Sequence, residues 1–122
     1  MIVTKFGGTS MASADQFKKV RNIIEEDSER QIVVVSAPGK RTKDDIKITD
    51  LLYTLYMHLQ YGVPYADIWD MIAGRYMEIA RDLELDYDIS VDLAAFKAEL
   101  NKHIDQNYLV SRGEFFSAKL MS

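Results

Sequence analysis

Cysteine is absent from this chain of 122 residues, and proline occurs only twice. The absence of cysteine excludes disulfide bonds, thiolate metal sites and thiol nucleophiles, and it is compatible with a reducing compartment. The formal net charge is −4, with no basic stripe to offset it, which argues against a nucleic-acid-binding protein. No apolar run approaches membrane-spanning length, and Met1 leads straight into a predicted strand rather than into a signal peptide. We therefore expect a cytoplasmic protein that binds neither nucleic acid nor a membrane.

The length of 122 residues predicts one domain, and the composition, 48% hydrophobic and 28% charged, is ordinary for a soluble globular protein. Ile2 to Phe6 predicts a short strand, and Gln31 to Ser36 predicts its neighbour in a parallel sheet. The second strand is β-branched without alternation, which is typical of a strand covered on both faces. Between the strands, Ser13 and Gln16 form a capping box that begins a helix. The chain therefore opens as strand, helix, strand.

Further helices are predicted after the second strand, with Gly62 ending the first of them. The residues expected to begin them are, in order, Thr49 or Asp50, Pro64, and Asp88 or Ser90. The segment Ser111 to Glu114 precedes a last helix that starts near Phe115 and is still in mid-pattern at Ser122. Because two strands do not make a stable parallel sheet, we expect this chain to be a fragment of a longer one.

The stretch Lys5-Phe6-Gly7-Gly8-Thr9-Ser10 lies where the first strand gives way to the helix. Adjacent glycines let backbone N–H groups converge on an anion, and Lys5 adds a point charge. For a bare glycine pair, an ordinary tight turn with a solvated lysine would be the better interpretation. The combination of lysine, glycines and two hydroxyl residues favours phosphate binding.

A second loop, beginning Ser36-Ala37-Pro38-Gly39, follows the second strand. Ligands of open α/β sheets collect beyond the carboxyl ends of the strands, so the two loops should face one site. For the basic residues Lys40, Arg41 and Lys43 we favour a solvated mobile loop over direct phosphate contact.

Four segments together resemble the signature of the aspartate kinases, in the amino acid kinase superfamily. They are Lys5–Ser10, Ser36–Lys40, Thr49-Asp50 and Ser111–Glu114, in the order and approximate spacing of that family. The resemblance implies an α/β fold, a three-layer αβα sandwich of the carbamate kinase-like type. Residues 1–122 would be its incomplete, helix-rich N-terminal portion, without the nucleotide-binding half and the regulatory ACT domains.

The same resemblance implies an activity and its partners. The full-length enzyme would use ATP with Mg²⁺ to phosphorylate the side-chain carboxylate of L-aspartate to 4-phospho-L-aspartate, the first step of lysine, threonine and methionine biosynthesis. It would be a homo-oligomer. This chain alone is expected to be nearly or wholly inactive.

The site residues implied by the resemblance fall into two groups, and we predict no metal ligand in this chain. Lys5 is the catalytic residue on the transferred phosphate, flanked by the ATP-phosphate-binding residues Gly7, Gly8, Thr9 and Ser10. For Thr9 and Ser10, binding to the substrate or simple capping of the turn are equally good interpretations. The substrate-binding residues are Ser36, Thr49 and Glu114, with Glu114 on the α-amino group. Plainer interpretations are an N-cap for Thr49 and a carboxylate favoured by the macrodipole at a helix N-terminus for Glu114. Arg112 receives no role.

Two alternatives remain. One is another amino acid kinase, acting on glutamate, acetylglutamate, carbamate or a nucleoside monophosphate. Phe6, Thr9-Ser10 and Ser111–Glu114 favour aspartate over these acceptors. The other is a non-catalytic stand-alone binding module whose sheet is completed by a second copy or a partner.

Overall fold

A computed structural model of the chain describes residues 3–27, 32–101 and 103–121. Helix exceeds strand along these residues, as predicted. The elements are β1 (Val3–Phe6), a 3₁₀ turn (Thr9–Met11), α1 (Ala14–Glu25), β2 (Ile32–Val35), α2 (Ile48–Tyr61), α3 (Ala66–Asp82), α4 (Ile89–Ala98) and α5 (Gln106–Met121). The predicted strand residues Ile2 and Gln31, and the final Ser122, lie outside the described residues. No helix within the described ranges has the length and apolar character needed to cross a bilayer.

The two strands pair in parallel, which confirms the predicted strand–helix–strand opening. Val3 lies opposite Ile32, and Phe6 lies opposite Val35. Helix α1 connects the strands and begins at the predicted N-cap, where the Ser13 hydroxyl accepts a hydrogen bond from the Gln16 N–H at 3.4 Å.

The sheet is covered on one face only among the described residues, so the prediction of a strand covered on both faces is wrong here. Phe6 and Val35 are buried against the helices, whereas Val3 is 60% and Val34 43% exposed. Successive side chains of a strand point to opposite faces, which places Lys5 on the exposed face beside Val34. A run of β-branched residues identifies a strand, but it does not reveal whether a second layer covers it.

Helix α2 begins one residue before the predicted caps, because the loop before it satisfies its first donor. The N-cap is Lys47, and the Ile48 N–H donates to the Pro38 carbonyl at 3.1 Å. Thr49 and Asp50 therefore lie inside the first turn, and the cap prediction is wrong. The predicted end is confirmed, since Gly62 adopts φ +67°, the left-handed conformation that glycine adopts without steric cost.

Helices α3 and α4 follow the prediction with small shifts. Helix α3 starts at Ala66, two residues after Pro64. Asp88 caps α4, and its side chain accepts from the Ser90 N–H at 3.0 Å. The aromatic residues of this block are divided between core and surface. Trp69, Tyr76 and Phe96 are buried, with Trp69 tilted against Phe96 at 5.8 Å between ring centroids, whereas Tyr53, Tyr61 and Tyr87 are exposed.

Helix α5 is continuous through the segment that was predicted to precede a helix. Ser111–Glu114 lies in its interior, so the prediction that the last helix starts near Phe115 is wrong. Gly113 lowers the intrinsic helix propensity, but its lack of a side chain permits close packing. A Cβ atom at this position would lie 2.6 Å from the Ala37 Cβ. Glu114 is consequently a mid-helix residue, which excludes its interpretation as a carboxylate at a helix N-terminus.

Candidate functional site

A cleft of about 480 Å³ lies where the loops after β1 and β2 meet the sides of α2 and α5. Five of the predicted site residues line it: Gly8, Thr9, Ser36, Thr49 and Glu114. The other lining residues are Ala37, Gly39, Lys47, Tyr53, Asn107, Val110 and Ser111.

The floor of the cleft is a backbone crossing between the two loops. The Gly39 N–H donates to the Gly8 carbonyl at 2.7 Å. A Cβ atom on Gly39 would lie 2.6 Å from the Gly8 carbonyl carbon and 2.9 Å from the Thr9 nitrogen. Both distances are shorter than a Cβ atom can approach backbone atoms without a clash. Position 39 therefore requires glycine for this approach. The prediction that both loops face one site is confirmed.

The loop after β1 contributes fewer residues to the cleft than predicted. Its 3₁₀ turn is closed by bonds from the Ser10 N–H to the Gly7 carbonyl, 3.1 Å, and from the Met11 N–H to the Gly8 carbonyl, 3.0 Å. Gly8 and Thr9 face the cleft, but Gly7 and Ser10 are not among its lining residues. Lys5 is exposed on the open face of the sheet and is likewise not a lining residue. The phosphate-binding roles of these residues stay predictions.

Polar side chains on two helices form the walls. Thr49 and Tyr53 lie one turn apart on α2. Asn107, Ser111 and Glu114 follow one another along a single face of α5. Tyr53 and Asn107 were not among the predicted site residues, and Asn107 was missed because the last helix was expected to start near Phe115. With the helix begun at Gln106, the i, i+4, i+7 spacing would have grouped these residues.

The cleft combines a cation with an anion. Among the described residues that line it, Lys47 carries the positive charge and Glu114 the negative charge, and both residues are exposed to solvent. Lys47 was missed because it is the N-cap of α2, two residues before the earlier of the predicted caps, Thr49. This pair suits a small zwitterion, whose ammonium and carboxylate groups need partners of opposite charge. Within the described ranges, no group of three or more acidic or histidine side chains could hold a metal ion.

The basic loop beside the cleft is held by ion pairs, which corrects the prediction of a solvated mobile loop at Arg41. Its guanidinium donates to Asp45 at 2.7 Å and to Glu78 of α3 at 2.8 Å. The hydrogen bond from Arg41 holds the pKa of Asp45 well below its usual range. Lys40 and Lys43 are exposed, as predicted.

Arg112, to which the sequence assigned no role, packs against aromatic rings of its own helix. Its guanidinium carbon lies 4.6 Å from the ring centroid of Tyr108 and 4.5 Å from that of Phe115. These distances are those of cation–π contacts. Arg112 therefore packs along its own helix and is not a lining residue of the cleft.

The sequence profile of the amino acid kinase family matches residues 1–122. The chain belongs to the amino acid kinase family. Its structure superposes on the aspartate kinase of Clostridium acetobutylicum with a TM-score of 0.94 and 43% identity, covering 99% of this chain and 28% of that one. E. coli aspartokinase III in complex with aspartate and ADP matches with a TM-score of 0.78 and 28% identity, again over 99% of this chain and 28% of that one. The fold is thus the amino acid kinase fold, of which this helix-rich chain is a part.

Curated relatives agree with the family assignment. Aspartokinase 3 of Bacillus subtilis is 40% identical over 89 residues, which are 73% of this chain and 20% of the relative. The chloroplastic bifunctional aspartokinase/homoserine dehydrogenase 1 of Zea mays is 31% identical over an alignment of 137 residues, covering 98% of this chain and 14% of the relative. The chain spans about a fifth or less of the length of these two amino acid kinase family relatives.

Proposed function

We propose that this chain forms the acceptor-binding side of an ATP-dependent aspartate kinase and is the N-terminal portion of its catalytic domain. The observation that carries the proposal is the convergence of Ser36, Thr49 and Glu114 in one cleft, from three separate elements. The names of the relatives, all aspartokinases or aspartate kinases, support aspartate over other acceptors. An aspartate kinase of this family also supports a nucleotide partner, because the E. coli enzyme was solved with ADP.

The charges of the cleft suggest how aspartate would lie in it. Glu114 accepts hydrogen bonds from the α-ammonium group, and Lys47 pairs with a carboxylate of the substrate. The hydroxyls of Ser36 and Thr49 donate to substrate oxygens. Two charged partners and two hydroxyls would fix the orientation of a small acid, which is the main requirement of phosphoryl transfer.

In the proposed reaction, an oxygen of the aspartate side-chain carboxylate attacks the γ-phosphorus of ATP. A new carboxylate oxygen–phosphorus bond forms, the bond from the γ-phosphorus to the bridging oxygen breaks, and ADP leaves with the bonding electron pair. ATP would bind as its Mg²⁺ complex, whose metal would screen the phosphate charge. Gly8 and Thr9 border the cleft on the side where we place the phosphates, and Lys5 is the predicted charge donor to the transferred group. We further propose a cytoplasmic homo-oligomer that serves lysine, threonine and methionine biosynthesis.

The test is ADP release by the full-length protein that contains this chain, with a panel of acceptors. L-Aspartate, L-glutamate, N-acetylglutamate, carbamate and a nucleoside monophosphate are compared at equal concentration. Turnover with L-aspartate that exceeds the others at least about a hundredfold supports the proposal. Turnover with another acceptor and not with aspartate would identify a different amino acid kinase.

A further inference from the structure

Arg75 of α3 is a buried cation that no part of the proposed mechanism uses. Its side chain is only 5% exposed. A buried charge is costly unless hydrogen bonds and counter-charges compensate for its lost hydration. The hydrogen-bond partners of Arg75 therefore indicate which segments of the chain it holds together.

Those partners come from both loops that line the cleft. One terminal nitrogen, Nη2, donates to the Gly39 carbonyl at 2.7 Å and to the Ala12 carbonyl at 3.2 Å. The other, Nη1, donates to the Ile46 carbonyl at 3.1 Å and lies 3.4 Å from an Asp45 carboxylate oxygen. Ala12 follows the 3₁₀ turn after β1, whereas Gly39, Asp45 and Ile46 belong to the loop after β2.

The contact that Arg75 spans is the backbone crossing at the floor of the cleft. Gly39 makes two backbone hydrogen bonds here. Its N–H donates to the Gly8 carbonyl, and its own carbonyl accepts a hydrogen bond from Arg75. Gly39 is thus fixed from both sides, and the first loop is fixed through Ala12 as well. A planar guanidinium with several donors reaches three carbonyls at once, which a lysine ammonium does with poorer geometry.

We propose that Arg75 is the positioning residue of the cleft: it holds the loops after β1 and β2 together and so sets the spacing of Gly8 and Thr9 against Ser36 and Thr49. The structural part of this proposal concerns the two loops alone. Its consequence for turnover rests on the proposed aspartate kinase function.

The first experiment measures loop opening without reference to activity. Amide hydrogen exchange is followed by mass spectrometry in the full-length protein for peptides that cover residues 7–13, 36–47 and 89–98. In Arg75→Met the exchange of the two loop peptides should accelerate about tenfold or more, while the α4 peptide keeps its wild-type rate. Arg75→Lys should lie between, and it provides a milder variant if the methionine variant folds poorly. Arg81→Met on the same helix, whose side chain is 75% exposed, is the matched control and should change neither loop.

The second experiment asks whether loop spacing controls the site. In Arg75→Met the kcat/KM for aspartate should fall about tenfold or more, through both a higher KM and a lower kcat, because displaced loops bind the substrate less well and misalign it with the phosphates. Gly39→Ala should have a similar effect by forcing the same crossing apart. The double variant should then be little worse than either single variant, since both changes loosen one contact.

Several outcomes would overturn the proposal. Unchanged exchange in both loops of Arg75→Met would do so, and uniform acceleration that includes α4 would assign Arg75 to general stability instead. Multiplying effects of Arg75→Met and Gly39→Ala would mean that they act on separate contacts. If the wild-type protein ignores aspartate, the kinase proposal fails, and the exchange experiment still decides the role of Arg75.

Discussion

The Tyr76 hydroxyl of α3 donates a hydrogen bond to the Gly113 carbonyl of α5 at 2.7 Å. Tyr76 is completely buried, and its ring packs on Phe116 with 5.2 Å between centroids. Burial raises the pKa of Tyr76, so the hydroxyl remains a neutral donor across the physiological range. The bond and the missing side chain at Gly113 together seat α5 against Ala37, and this position brings Glu114 to the cleft.

Replacing Gly113 with alanine should separate α5 from the end of β2. The new methyl group would lie 2.6 Å from the Ala37 Cβ and 3.1 Å from a Leu52 methyl group. Overpacking of this kind costs roughly 1–3 kcal/mol in the free energy of unfolding, which urea denaturation measures. Gly74→Ala is the matched control, because a Cβ atom there would meet nothing within 4 Å beyond the backbone of its own helix, and alanine should stabilise the helix by about 0.5–1 kcal/mol. Equal stabilities for the two alanine variants would contradict the packing argument.

Glu114→Gln should weaken the use of aspartate more than it slows turnover. The change keeps the size of the side chain and removes the charge that we pair with the substrate α-ammonium. Charge-assisted hydrogen bonds contribute about 1.5–3 kcal/mol, which corresponds to a rise in KM for aspartate of about 10- to 100-fold. Steady-state kinetics of the full-length protein measure this, with Glu25→Gln at the exposed end of α1 as the control. A wild-type KM in Glu114→Gln would remove Glu114 from the site.

The two lysines near the loops should have separable kinetic effects. Lys5→Ala should lower kcat by about 100-fold or more, as expected for the loss of a cation that stabilises the transferred phosphate in the transition state. Lys47→Ala should instead raise the KM for aspartate by about tenfold, since Lys47 lines the cleft. The same steady-state assay decides between them. If only Lys47→Ala reduces kcat, the phosphate role predicted for Lys5 belongs to Lys47.

The stability of the basic loop should fall in acid. Arg41 lowers the pKa of Asp45 in the folded protein. A carboxyl group of this kind contributes stability that is present above the unfolded pKa, about 3.9, and is lost as the pH falls through the folded value. Below about pH 4 the free energy of unfolding of Asp45→Asn should fall by about 1 kcal/mol less than that of the wild type. The difference is small because the pair of Asp45 and Arg41 is partly exposed. Urea unfolding between pH 7 and pH 2 measures it. Arg41→Met should likewise reduce the loss of unfolding free energy below about pH 4. If both variants lose as much stability in acid as the wild type, the Asp45–Arg41 pair is not its source.

The local signals of this chain predicted its elements well, because most depend on neighbouring residues. Ser13 and Asp88 cap helices and Gly62 ends one, as expected from side-chain oxygens near free N–H groups and from glycine at positive φ. The predictions of helix boundaries were wrong where contacts between residues distant in the sequence determine the boundary. The start of α2 depends on the Pro38 carbonyl, and the continuity of α5 depends on the space that Ala37 and Tyr76 leave around Gly113.

The same distinction applies to the site. Glycine pairs and strand ends predicted that two loops would meet, and Ser36, Thr49 and Glu114 do line one cleft. The sequence did not reveal that a residue 36 positions after Gly39 would bond its carbonyl. An isolated arginine on a helix with an apolar face has no local pattern that distinguishes a buried side chain from an exposed one.

The exposed face of the β1–β2 pair affects how these 122 residues should be handled in solution. Val3 and Val34 offer apolar surface, and in the described ranges each strand pairs with the other on one side only. Unprotected strand edges and exposed valines promote edge-to-edge association between copies. We therefore expect the chain expressed alone to aggregate as its concentration rises, and a charged residue in place of Val34 to improve its solubility.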